Sequence, residues 1–286
     1  MTGSLERRQW VGAGRALLTA TAPGARNGAV GGDPAVLIPS SPQEAIVAFG
    51  DGEGITVVGG ATTIAPQLAR GSLGCRRALL LHRAGLAEVR DDGPRLTFGA
   101  TATLQAVADV APEPLAAAAA IPDREIRAQA TIGGNLHWPG DLHAPLIATR
   151  ARVRSIGRGG ERSDPIERYL ALDEPRLLLD VTCDRPRAGA FLSQRRLHSA
   201  TLTVISVAIA RFDDGTRVAV GGAGPHGLRC PSVERALDGG AAPEQAAAAV
   251  AEDVNPPDDP LASAWYRARV LPVLITRTLR RLEGGS

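Results

Sequence analysis

Hydrophobic and polar positions along the chain predict a mixture of strands and helices. The β-branched run at residues 55–58 predicts a strand. Ahead of it, Ser41, Pro42 and Glu44 predict the N-cap and first turn of a helix. Alternation over residues 202–210, a turn at 213–215 and an apolar run at 217–221 predict an antiparallel hairpin. Helical spacing over residues 263–282 predicts a closing helix, which Pro272 should kink or break.

Two glycine-rich segments each follow or adjoin an apolar run and predict backbone that approaches a ligand closely. Gly133 and Gly134 can point successive N–H groups into one concavity that holds a phosphate, and Thr131 and Asn135 flank them with short hydrogen-bonding groups. Residues 59–66 follow the strand at 55–58 and offer a second phosphate cradle. On local grounds alone, a tight turn is the commoner explanation of the first segment, and a plain strand-to-helix connection is slightly favoured for the second.

Composition narrows the class of protein. With 286 residues, of which 44% are hydrophobic, the chain is long enough for two or three globular cores. The net charge of +2 and the 3% of aromatic residues give no support for nucleic-acid binding. No apolar run reaches the length of a bilayer crossing, and Arg15 interrupts the apolar stretch after Arg7 and Arg8, which disfavours export. We therefore expect a soluble cytoplasmic protein without a membrane contact.

Metal and cluster chemistry finds little support in the sequence. Cys75, Cys183 and Cys230 stand far apart without a CxxC spacing, which argues against an iron–sulfur or zinc cluster on this chain. His137 and His143 have the chemistry of metal ligands, but a third partner at a suitable spacing is missing. We predict no metal site and no catalytic residue on this chain.

The glycine segments carry a resemblance to a known family. Residues 130–153 resemble the ATIGGN…SDLxxxLLALxAxV segment of the FAD-binding medium subunit of molybdenum hydroxylases, the family of carbon monoxide dehydrogenase and xanthine dehydrogenase. Residues 59–66 resemble its A-G-G-T-D-L-x-P loop, with Ala61 in place of the second glycine and Thr63 in place of the aspartate. The stretch between Asn135 and Asp141 is shorter than in relatives. In all, the resemblance covers about residues 36–282.

The resemblance implies an α+β fold, in which a PCMH-type FAD-binding domain is followed by a smaller α+β domain of antiparallel sheet and helices. We expect an extension at residues 1–32, the FAD-binding domain at 33–172 and the C-terminal domain at 173–286. Leu178 or Leu179 corresponds to a leucine that lies against the flavin ring in relatives, and Gln194 to a basic residue that reaches the flavin. The residues that the resemblance assigns to FAD are Val58, Gly59, Gly60, Ala61, Thr62, Thr63, Ile64, Thr131, Ile132, Gly133, Gly134, Asn135, Asp141, Leu178 and Gln194.

The function implied is electron transfer. In such complexes a small iron–sulfur subunit delivers electrons to FAD, a large molybdenum-cofactor subunit oxidises the substrate, and FAD passes the electrons to an acceptor such as a quinone or NAD. Two alternatives stay open, because one glycine loop is altered and the other shortened. The chain is then a scaffold subunit without flavin, or a stand-alone flavoenzyme on the same fold.

Overall fold

The computed structural model describes residues 35–138, 140–195 and 203–284, so the predicted extension at 1–32 lies outside the described residues. The described chain forms separate sheets flanked by helices, which confirms the predicted α+β fold with an antiparallel sheet in the C-terminal part.

A small parallel sheet opens the fold. Its strand order is β1-β3-β2, and the first helix packs against β3. The Ser41 hydroxyl accepts a hydrogen bond from the Glu44 N–H at 3.2 Å, and the Glu44 carboxylate accepts one from the Ser40 N–H at 2.8 Å, so the predicted capped start is confirmed. The elements are β1 (Ala35–Leu37), α1 (Pro42–Phe49), β2 (Ile55–Val58), α2 (Ile64–Ala69) and β3 (Arg77–Leu80).

A five-stranded antiparallel sheet follows, with the order β4-β5-β8-β6-β7, and the helices between β5 and β6 carry the second glycine segment. The strands are β4 (Val89–Asp91), β5 (Arg95–Gly99), β6 (Arg152–Gly157), β7 (Gly160–Pro165) and β8 (Leu177–Asp184). The helices are α3 (Leu104–Val110), α4 (Leu115–Ala119), α5 (Arg124–Gln129), α6 (Ile132–Leu136), α7 (His143–Ala148) and α8 (Ile166–Leu170).

The C-terminal part is a four-stranded antiparallel sheet, β12-β11-β10-β9, covered by helices. Strands β10 and β11 form the predicted hairpin, with Phe212 paired to Gly215 at its turn. The closing helix runs through Pro272 without a break. The elements are β9 (Ala188–Arg195), β10 (Thr203–Phe212), β11 (Gly215–Gly221), β12 (Leu228–Arg229), α9 (Pro231–Asp238), α10 (Pro243–Ala248), α11 (Val250–Asp253) and α12 (Ala264–Gly284).

Strand β8 lies at the centre of the five-stranded sheet. It pairs with β5 on one side, where Phe98 faces Val181, and with β6 on the other, where Val153 faces the same residue. By hydrogen bonding this strand is therefore part of the first half of the molecule. The sheet of that half extends to Asp184, beyond the predicted domain boundary at 172/173.

Helix α7 joins the two halves. All six of its residues are buried, and it packs against strands β10, β11 and β12 of the C-terminal sheet. Its aliphatic residues belong to the same core cluster as Ala208 and Ala219 of that sheet. Just beyond the helix, Arg150 makes hydrogen bonds of 3.0 and 2.7 Å to both carboxylate oxygens of Asp214 and lies 3.9 Å over the ring of Phe212. One hydrophobic cluster thus spans both halves, and a second cluster lies within the C-terminal half.

Candidate functional site

A cavity of about 540 Å³ lies where the two halves meet. One side is formed by the loop after β2 and by the segment around α6, and the other by the turn after β11 and the loop before α12. The volume falls within the range of pockets that hold cofactors. Apolar walls with a few polar groups are also typical of such sites.

The two glycine segments touch each other in the wall of this cavity. A Cβ atom at Gly60 would lie 2.6 Å from the carbonyl carbon of Gln129 and would overlap its oxygen. A Cβ at Gly59 would lie 2.6 Å from the hydroxyl oxygen of Thr131. Since real Cβ atoms do not approach other atoms so closely, these positions need glycine in order to bring the loops together.

The first loop offers unpaired backbone donors. Among the described residues, none accepts a hydrogen bond from the successive N–H groups of Gly60, Ala61, Thr62 and Thr63, and all four residues line the cavity. Ala61 has a positive φ of 59°, and a left-handed residue within such a run curves the amides into a concave anion-binding nest. This loop therefore has the chemistry of a phosphate site despite its departures from the family pattern.

The second segment has its donors occupied, contrary to the prediction that successive N–H groups of Gly133 and Gly134 face a ligand. The Gly133 N–H donates to the Ala100 carbonyl at 3.0 Å. The Gly134 N–H donates to the Thr131 hydroxyl at 3.1 Å, because Thr131 is the N-cap of the short helix α6. The prediction of a backbone cradle here is wrong, since the segment folds as a capped helical turn.

Asn135 packs against the shortened loop that follows it and hydrogen-bonds to the end of that loop. The Asn135 side-chain oxygen accepts a hydrogen bond from the Leu142 N–H at 3.2 Å. A Cβ at Gly140 would lie 2.6 Å from the Asn135 Cγ atom, so glycine lets the loop fold tightly over that side chain. This arrangement brings Asp141 into the cavity wall in spite of the short loop.

Two histidines, the partly buried His137 and the buried His143, fix the end of this segment. His137 Nδ1 lies 2.7 Å from the Gly133 carbonyl and its Nε2 lies 2.9 Å from the Tyr169 hydroxyl. Since a carbonyl only accepts, Nδ1 carries the proton and Nε2 accepts from Tyr169. Burial lowers the pKa of His137, and it lowers the pKa of His143 to about 4, so both rings are neutral at pH 7.

Asp141 and Arg195 lie near each other at one side of the cavity. Burial raises the pKa of Asp141, and the positive charge of Arg195 opposes that rise. The Arg195 guanidinium donates to the Ile121 carbonyl at 2.9 Å, and Ile121 is part of the cavity lining. By contrast, the Gln194 side chain donates to the Arg195 carbonyl at 3.2 Å. The basic group next to the cavity at this point is therefore Arg195 and not the predicted position 194.

The structure brings most of the predicted site residues together. Val58 and Ile132 are buried and do not line the cavity, and neither does Gln194. Leu178 is buried and contributes to the wall, as expected. The predicted residues that line the cavity are Gly59, Gly60, Ala61, Thr62, Thr63, Ile64, Thr131, Gly133, Gly134, Asn135, Asp141 and Leu178.

The C-terminal half supplies wall residues that were not predicted. The turn after β11 contributes Gly222 and Gly227, and the start of α12 contributes Arg267. Arg267 is 1% exposed and donates to both Asp259 carboxylate oxygens at 2.9 and 2.8 Å. The glycine-rich sequence of the turn after β11 was the available signal, since a Gly-x-Gly pattern after a strand indicates close backbone approach.

The described residues contain no group of three side chains able to hold a metal ion. In that same part of the chain, none of the helices combines the length and apolarity that a bilayer crossing requires. The free amides of the first loop and the apolar walls instead fit a ligand with both phosphate and aromatic parts.

Family models identify that ligand. Residues 30–180 match the model of the FAD-binding domain in molybdopterin dehydrogenase. The chain belongs to this family. Residues 190–282 match the model of the carbon monoxide dehydrogenase flavoprotein C-terminal domain, so the resemblance found in the sequence is confirmed over both halves. FAD is therefore the cofactor of this chain, and the two family models place it among the flavoproteins of oxidoreductases.

Individual relatives agree with the family models. The uncharacterised protein YgfM of Escherichia coli strain K12 is 31% identical over 202 residues, which span 69% of this chain and 77% of YgfM. A chain of carbon monoxide dehydrogenase from Hydrogenophaga pseudoflava superposes with a TM-score of 0.78 at 21% identity, covering 90% of this chain and 99% of its own. Quinoline 2-oxidoreductase from Pseudomonas putida 86 gives 0.73 at 20% identity, covering 89% and 99%. These two structures establish a shared fold.

Proposed function

We propose that this chain is the electron-transfer subunit of a molybdenum hydroxylase. In this role its FAD accepts electrons from iron–sulfur clusters on a small partner subunit and passes them to an external acceptor. The observation that carries the proposal is the run of amides from Gly60 to Thr63, which have no acceptor among the described residues and line a cavity walled by both halves. A site of this kind suits a dinucleotide held at its phosphates and enclosed elsewhere.

Each wall has a separate task in holding the cofactor. The amides from Gly60 to Thr63 would bind the diphosphate, since backbone N–H groups in a nest bind anions without a charged side chain. The Thr131 hydroxyl already accepts from Gly134, so it is left to donate its proton to a ligand oxygen. Asp141 would accept a hydrogen bond from a sugar or ribityl hydroxyl.

Leu178 and its apolar neighbours would exclude water from one face of the flavin ring. Leu178 is 3% exposed and lies in the central strand β8, where it pairs with Ser155 of β6. When bound, FAD supplies the redox chemistry, and the chain contributes binding, orientation and the local charge that sets the reduction potential. Arg195, beside Asp141, is the positive group that we assign to this last task.

Substrate oxidation belongs to other chains in this proposal. The cysteines in the described residues are Cys75, Cys183 and Cys230, and burial raises the pKa of the last two, so they are inert as thiolates. We propose that a small iron–sulfur subunit and a large molybdenum-cofactor subunit complete the complex, and that it works in the cytoplasm.

Affinity purification of the tagged chain from its native host tests the proposal. We expect a yellow complex that contains a cluster-bearing protein and a molybdenum protein, and we expect the substrate of that complex to bleach the yellow flavin absorption. A flavin-loaded chain that oxidises a substrate without partners would make it a stand-alone flavoenzyme. A colourless chain in the same complex would make it a scaffold subunit.

A further inference from the structure

The turn between β11 and β12, residues 222–227, forms part of the C-terminal wall of the cavity, and it contacts one side chain of the other half. We infer that His143 is a positioning residue for FAD, because its imidazole links this turn to helix α6 of the second glycine segment. The inference rests on the assignment of the cavity to FAD. It gives the buried histidine a defined task in cofactor binding.

The imidazole of His143 bridges the two halves through both ring nitrogens. Its Nε2 lies 3.0 Å from the carbonyl of Leu136, the last residue of α6. Its Nδ1 lies 3.3 Å from the Gly227 backbone nitrogen, which donates its hydrogen. Because the Leu136 carbonyl can only accept, the proton sits on Nε2 and Nδ1 is left as the acceptor. Only the neutral Nε2–H tautomer satisfies both partners.

The surroundings of His143 keep the ring neutral. It is 4% exposed, and the charged forms of its nearest titratable neighbours, His226 and His137, would add like charge. The Leu136 carbonyl favours a protonated ring, but burial outweighs it. An imidazolium would also turn the Nδ1 acceptor into a donor that faces the Gly227 N–H. The bridge is therefore intact at neutral pH.

The turn packs directly against α7. A Cβ atom at Gly227 would lie 2.8 Å from the Cβ of His143 and 3.0 Å from its carbonyl carbon, so the two backbones are in direct contact. At the other end, Gly222 has a φ of 76°, and a Cβ there would lie 3.0 Å from the carbonyl carbon of Val204. The hydrogen bond to His143 therefore fixes a turn whose position is already narrowly defined.

Two neutral substitutions separate the two hydrogen bonds. His143→Asn places a carbonyl oxygen near the position of Nδ1 and keeps the acceptor for Gly227. His143→Gln reaches the Nε2 position and leaves the Gly227 N–H without its acceptor. The exposed His82 gives a matched control as His82→Asn. FAD dissociation constants come from flavin fluorescence titration of the apoprotein, and deuterium exchange reports on the peptide that covers residues 221–228.

We expect His143→Gln to weaken FAD binding roughly tenfold, as for one lost buried hydrogen bond, and to speed exchange in the turn. His143→Asn keeps the acceptor for Gly227 but loses the donor to Leu136, so it should weaken FAD binding less than His143→Gln and leave exchange in the turn near the parent rate. His82→Asn should stay within about twofold of the parent in both measurements. Equal affinity and equal exchange for both His143 variants would overturn the inference while FAD binding stands. A parent chain that binds no FAD would overturn the cofactor assignment itself.

A second measurement applies if a His143 variant does not fold. Nitrogen-15 spectra of the parent protein distinguish the tautomers of each histidine ring. We expect His143 as the neutral Nε2–H form at pH 7, in the apoprotein and with FAD. A protonated ring or the Nδ1–H form would remove the acceptor for Gly227 and overturn the inference.

Discussion

Gly60→Ala should separate the two glycine segments and release the cofactor. The added Cβ would lie 2.6 Å from the Gln129 carbonyl carbon and 3.1 Å from the Ala130 Cα. Both are backbone atoms, so no side-chain rotation relieves the overlap and one segment must move. Overpacking of this kind costs about 1 to 3 kcal/mol in folding stability. A displaced loop also loses several amide contacts to the diphosphate at about 1 kcal/mol each, which weakens FAD binding by roughly 100-fold.

Flavin fluorescence titration measures the affinity, and urea unfolding of the apoprotein measures the stability. Gly74→Ala is the matched control, because Gly74 has no positive φ and a Cβ added there would have open space for 4 Å around it. It should leave both quantities near the parent values. If Gly60→Ala bound FAD like the parent and unfolded at the same urea concentration, the contact between the two segments would not be what shapes the site.

Ala61→Gly should stabilise the chain by about 0.5 to 1 kcal/mol in urea unfolding, because Ala61 holds a positive φ of 59°; destabilisation would contradict this. His143 should make stability fall on acidification. The pKa of His143 drops from 6.5 to about 4 on folding. The contribution of the neutral ring to the free energy of unfolding is therefore complete above pH 6.5, and about 3 kcal/mol of it is lost as the pH falls towards 4. Urea unfolding across this range should show a smaller loss for His143→Asn. Gly133→Ala should reduce stability more than Gly134→Ala, since its Cβ meets the Ala100 carbonyl at 2.7 Å; equal urea midpoints would refute this. Asp141→Ala should weaken FAD binding less than about tenfold by titration, and complete loss would show that we underrate it.

Local sequence signals predicted the elements and the approximate site. The Ser41 cap and the β-branched strand β2 depend on neighbours within a few residues, so a sequence pattern contains them completely. The glycine segments were found for the same reason. The different roles of the two segments were not predicted, because these roles depend on contacts between segments that are distant in the sequence. The Ala100 carbonyl accepts the hydrogen bond of the Gly133 N–H, and the sequence around Gly133 does not predict that partner.

The C-terminal wall shows the same limit. Gly227 and His143 are separated by 84 positions, and their hydrogen bond exists only because α7 packs on the C-terminal sheet. Likewise, Arg267 in the closing helix donates to the carbonyl of Val204, which lies 63 positions earlier in the chain. A single sequence shows that such residues are unusual in a helix or loop, but not which distant group they meet.

The complete burial of helix α7 has a consequence for how this protein can be altered by recombination. Because every residue of α7 is buried, the helix cannot be moved with one half of the molecule alone. The remaining half would then expose the apolar surface against which α7 packs. Chimeras that join this FAD-binding half to a foreign C-terminal half should therefore aggregate unless the new sheet offers matching small residues such as Ala208 and Ala219. The two halves should therefore be exchanged together, as a pair that keeps the contact between α7 and the C-terminal sheet.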